Sequence, residues 1–70
     1  MDFRTLIPAD ERRAILEANI QAWARDGYAN QINHTNALAI GDTEAAQQAE
    51  ANMATIAQAI TLAQTELASL

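Results

Sequence analysis

The 70-residue chain has no cysteine, no valine and no lysine, one proline, two glycines and three aromatic residues. Without cysteine there is no disulfide framework, no zinc cluster built on thiolates and no thiol nucleophile. Without valine, and with so few aromatics, a β fold loses the side chains that fit a pleated surface. Long apolar runs are missing too. The longest, Ala37–Ile40, is far short of the ~20 residues that a membrane span requires.

Positive charge is scarce and unevenly placed. Four arginines (Arg4, Arg12, Arg13 and Arg25) stand against nine Asp and Glu, giving a net charge of −5, and residues 26–70 contain no Lys or Arg. A nucleic-acid binder needs a basic stripe to neutralise phosphates, and Arg12 and Arg13 with Arg4 make only a small patch. Direct nucleic-acid binding and adsorption to anionic membrane are therefore disfavoured. Met1-Asp2-Phe3-Arg4 carries no signal-peptide features, so a cytoplasmic location is expected. Arginine used to the exclusion of lysine, beside so much alanine, is what a GC-rich genome encodes and points to a bacterium or its phages.

What the chain does have is alanine, 17 of its 35 apolar residues. Alanine is the strongest helix former, so the expected fold class is all-α, in a single domain over residues 1–70. Ile7-Pro8 marks a helix start, with Thr5 or Ile7 as the boundary, and Asp10 and Glu11 sit where the helix dipole favours negative charge. Helix is expected over 8–25. Asp26-Gly27 either ends it with a left-handed glycine cap or lets one longer helix pass, giving three helices or two. Gly41-Asp42 is the stronger mark: a C-cap glycine followed at once by an N-cap aspartate, as in a tight helical hairpin.

From residue 43 to 69 the pattern is clearest. Ala46, Ala49, Met53, Ile56, Ile60, Ala63, Leu67 and Leu70 recur at alternating steps of three and four, an unbroken heptad seam. The first arm carries the same template as Leu16, Ile20, Trp23, Gly27, Asn30, His34, Ala37 and Gly41. Folding back at Gly41-Asp42 sets residue 70 opposite residue 13. It brings Leu16, Ile20 and Trp23 against Leu67, Ala63 and Ile60, and Asn30, His34 and Ala37 against Met53, Ala49 and Ala46. Two helices cannot cover 18 large apolar side chains on every side. Self-association is expected, most simply into an antiparallel four-helix dimer, with Leu16, Ile20, Met53, Ile56, Ile60 and Leu67 as its seam.

Candidate binding residues are Phe3, Trp23, Tyr28, Asn30, Asn33 and His34. His34 lies in a polar, uncharged run that serves as a recognition surface, or else His34 and Asn30 are seam residues that fix register by hydrogen-bonding to Asn52 or Glu50. No nucleophile or orienting acid accompanies it, so an enzyme is not expected. Trp23 falls on the Leu16–Ile20 stripe and reads as core. Phe3, Leu6 and Ile7 form an apolar lead that covers Leu67 and Leu70 or docks on a partner. Asn33-His34-Thr35 matches a glycosylation acceptor, to no purpose without a secretion signal. No cofactor is expected, and no metal: the Glu-x-x-His signature of di-iron bundles is absent, residue 31 being Gln.

The layout resembles that of small dimeric helical hairpins in architecture alone, since the basic face with which such a protein binds RNA is missing. The expected function is a non-enzymatic protein–protein interaction module, a self-associating adaptor or regulator with a further protein partner. The alternative is an acidic inhibitor of phage type that mimics nucleic acid and binds a basic partner such as a defence nuclease.

Overall fold

The chain reverses once, at Gly41-Asp42, and the local chemistry there explains why. Gly41 has φ +75°, a left-handed conformation that costs a residue with a Cβ and costs glycine nothing. It lets the Asp42 N–H reach back to the Ala37 carbonyl (2.8 Å) and the Gly41 N–H to Leu38 (3.2 Å). This pair of bonds is the Schellman closure of a helix C-terminus. Asp42 then acts in the opposite sense, its side chain accepting from the Ala45 N–H at 3.1 Å to cap the next helix.

A computed structural model describes all residues, Met1–Leu70. A short 3-10 turn, Phe3–Leu6, precedes two α-helices, α1 (Ala9–Ala39) and α2 (Thr43–Ala68), and there is no strand. The result is an all-helical hairpin of 49 × 19 × 17 Å. No helix is long and apolar enough to cross a membrane. Pro8 itself is the boundary residue of α1, one position beyond Ile7; it has no side chain with which to cap, and its carbonyl accepts from the Arg12 N–H at 2.9 Å.

The break considered at Gly27 is not made. α1 runs through it, because a helical glycine costs only about 1 kcal/mol while stopping would orphan a turn of carbonyls. Gly27 faces α2, and a Cβ built there would lie 3.6 Å from the Ile56 side chain.

The heptad frame describes the contact between the helices. Leu16, Ile20, Trp23, Asn30 and His34 are half-buried on α1, as are Met53, Ile56, Ile60 and Leu67 on α2 and Leu70 just beyond it. Only four residues are buried, and all are alanines: Ala37, Ala46, Ala49 and Ala63. Three of these lie near the turn, where small side chains let the backbones approach. Toward the open end the larger side chains are covered by one neighbour and bare on the other side.

Gly27→Ala should raise stability by about 0.5–1 kcal/mol, since the added methyl meets Ile56 at ordinary contact distance. Gly41→Ala should lower it by about 1–2 kcal/mol through its left-handed φ. Thermal unfolding followed by circular dichroism measures both, and opposite signs are expected.

Candidate functional site

The candidate residues divide among three places. Asn30 and His34 face α2, one turn apart on the seam, and both are half-buried. Asn30 belongs to a directed chain of amides that joins the helices. The Gln48 side chain donates to Asn52 Oδ1 (3.1 Å), Asn52 donates to Asn30 Oδ1 (3.1 Å), and Asn30 donates to the Asp26 carbonyl (2.9 Å). The Asn52–Asn30 bond is the only side-chain hydrogen bond between α1 and α2, and Asn52 is one of the two partners the seam reading named. His34 makes no hydrogen bond and no ion pair; Glu50 is not its partner. The polar run around His34 therefore includes inter-helix structure rather than forming a single exposed face.

Tyr28 is exposed (65%) and Asn33 is exposed. Tyr28 lies on the side of α1 away from α2, one turn before exposed Ile32, and the two border a shallow depression with Thr35. Tyr28 and His34 are close in sequence, but a rotation of about 100° per residue puts them on different sides of the rod.

Phe3 lies at the open end of the hairpin, its base, and Trp23 about halfway along α1, at the upper limit of the base half. Trp23 lines a groove with Leu16, Ala59, Leu62, Ala63 and Glu66. Leu16 and Glu66 also belong to a second depression containing Phe3, Ile7 and Ile15 together with the charged Arg4 and Arg12, so the two adjoin as one trough, apolar along most of its lining and crossed by the Arg4–Glu66 pair. Leu62 and Ile15 are exposed within it, Leu62 at 65%. Neither was among the candidate residues. Their signal was to be bulky and apolar at positions off the seam frame.

The lead is fastened to the base by charge. The Asp2 carboxylate accepts from the Arg4 backbone N–H at 3.0 Å and from its guanidinium at 2.8–3.1 Å. Arg4 also lies 3.8 Å from Glu66 on α2. These bonds, first from the guanidinium and then from the backbone, lower the Asp2 pKa from 3.8 to about 2. Phe3 and Leu6 remain exposed while Ile7 is half-buried. The lead thus turns against α1 and Glu66 without enclosing its own apolar side chains. Beside it, the half-buried Arg12 holds an enclosed Nε without an acceptor.

No three His, Asp or Glu side chains come together in a metal-holding group. No protein-family model matches the chain, and neither does any curated protein or solved structure.

The amide chain has a direction that substitution can test. Asn52→Ala should cost about 0.5–1 kcal/mol for the lost bond. Asn52→Asp should cost more at pH 7, because a carboxylate cannot donate to Asn30 and Asn30 cannot turn without facing its amide oxygen toward the Asp26 carbonyl. That excess should close as pH falls below about 4. Chemical denaturation at both pH values distinguishes the two variants, and equal costs at pH 7 would contradict the bond.

At the base, a depressed pKa means that the stability contributed by the Asp2–Arg4 clasp is present above 3.8 and lost as pH falls through about 2. The Asp2 carboxyl carbon should titrate by NMR with a midpoint near 2, returning toward 3.8 in Arg4→Ala. A wild-type midpoint at 3.8 would mean the clasp is not formed.

Proposed function

We propose that this protein is a non-enzymatic interaction module, a helical hairpin that self-associates and presents the outer side of α1 to another protein. One observation carries the reading: the only buried residues are four alanines, while the large seam side chains stay partly bare. A 7.6 kDa compact monomer exposes about 4,300 Å², whereas this chain exposes 5203 Å². The difference, roughly 900 Å², is close to the ~800 Å² that each partner contributes to a standard interface. Tyr28 with Ile32 then offers the aromatic and aliphatic pair favoured at binding hot spots, and the polar residues around it would form a rim.

A second reading rests on charge placement. Between residues 26 and 59 stand Asp26, Asp42, Glu44 and Glu50 with no Lys or Arg, so the turn end is wholly acidic. An inhibitor that occupies the nucleic-acid site of a basic protein would use that end.

Sedimentation equilibrium should give twice the 7.6 kDa chain mass at micromolar concentration, and a folded monomer over that range overturns self-association. For a partner captured from the host, salt separates the readings. Affinity that persists at about 1 M salt, where the Debye length is ~3 Å, but drops tenfold or more in Tyr28→Ala supports the module. Affinity abolished by the same salt and indifferent to Tyr28 supports the acidic mimic.

A further inference from the structure

Resting on that self-association, we infer that the second copy docks base to base, in an offset antiparallel dimer that leaves both acidic turns at its far ends. The heptad frame sets the limit of the apolar trough. At its upper end Trp23 on α1 stands beside Ala59 on α2. One heptad closer to the turn the equivalent positions are Asn30 and Asn52, already bonded to each other at 3.1 Å. The position equivalent to Leu62 becomes Thr55. Apolar surface on this side of the hairpin therefore runs from the lead to Trp23 and stops about halfway along the 49 Å rod.

A full-length antiparallel pairing would press the trough of each copy onto the other's amide chain, desolvating polar groups without supplying partners. A parallel pairing would match trough with trough but set two acidic turns side by side, Asp42, Glu44 and Glu50 of one copy against the same three of the other. The half-overlapped antiparallel arrangement avoids both costs. It also gives the exposed lead a role: a two-fold axis through the middle of the trough brings Phe3 of one copy to the Trp23 end of the other. The base is nearly balanced in charge, four arginines against Asp2, Asp10, Glu11, Glu17 and Glu66, so apposing two bases meets little repulsion. The roughly 900 Å² of excess surface per chain is what such a contact would cover.

The chain has no cysteine, so a single Gln47→Cys carries one spin label near each turn. The measured inter-label distance in the dimer should exceed the hairpin's own 49 Å. A distance below 49 Å signals full overlap or a parallel pair and overturns this geometry while leaving self-association standing. A monomer by sedimentation overturns both. Independently, Leu62→Gln should raise the dimer dissociation constant by about a hundredfold, because the two-fold removes two buried leucines at once. Leu38→Gln, an equally exposed leucine near the turn, should leave it unchanged. Both variants should keep wild-type helix content, since each side chain is exposed; equal dissociation constants would reject the trough as the interface.

Discussion

The register of the whole hairpin is set by Gly41 and Asp42, two of the three residues between the helices. Gly41 takes a positive φ, and Asp42 both closes α1 through its N–H and opens α2 through its carboxylate. Each helix end has groups that find no partner inside the helix, and here one residue serves both ends. No loop length remains to absorb slippage. Once Ala37 is bonded to Asp42 and Ala45 to the same residue, every later facing pair follows, including Gly27 with Ile56 and Asn30 with Asn52. Without that fixed junction, a seam of alanines would place little restriction on how α1 and α2 slide.

Alanine near the turn and larger residues near the base divide the rod into two kinds of contact. Near the turn, methyl groups are small enough to be enclosed by two helices, and Ala37, Ala46 and Ala49 are buried. Near the base, Leu16, Ile20, Trp23 and Leu67 are too large for two helices to enclose and remain half-buried. A two-helix layer encloses small side chains and only shields large ones. The amide chain from Gln48 to Asp26 marks the change between the two regions.

Much of the fold was legible because it depends on local rules. The alternation of three and four, the glycine–aspartate pair and the absence of breakers in α2 each act within a few residues. The frame set Asn30 against Met53, next to Asn52, which was one of two named partners and is the one that bonds to it. Gly27 was less legible, since a glycine after Asp26 has the chemistry of a stop and only tertiary cover decides that the helix continues. The binding residues were less legible still. Tyr28, Asn30 and His34 are neighbours in sequence and share a polar character, but helical rotation divides them between an outer side and the seam. Leu62 and Ile15 had the opposite difficulty: they are distant in sequence and unremarkable singly, and only the hairpin gathers them into one trough with Trp23.

Because a single turn organises the chain, its contacts are nested like the teeth of a zip. Partners near Gly41 are separated by a few residues and those at the base by more than fifty. Closure therefore proceeds from the turn outward, each step requiring only a small further loss of chain freedom. The last teeth to engage belong to the base, where apolar side chains are largest and least covered. Local opening is cheapest at that end. The hairpin is least covered where its apolar surface is greatest, and any second surface that closes over the base holds the zip shut.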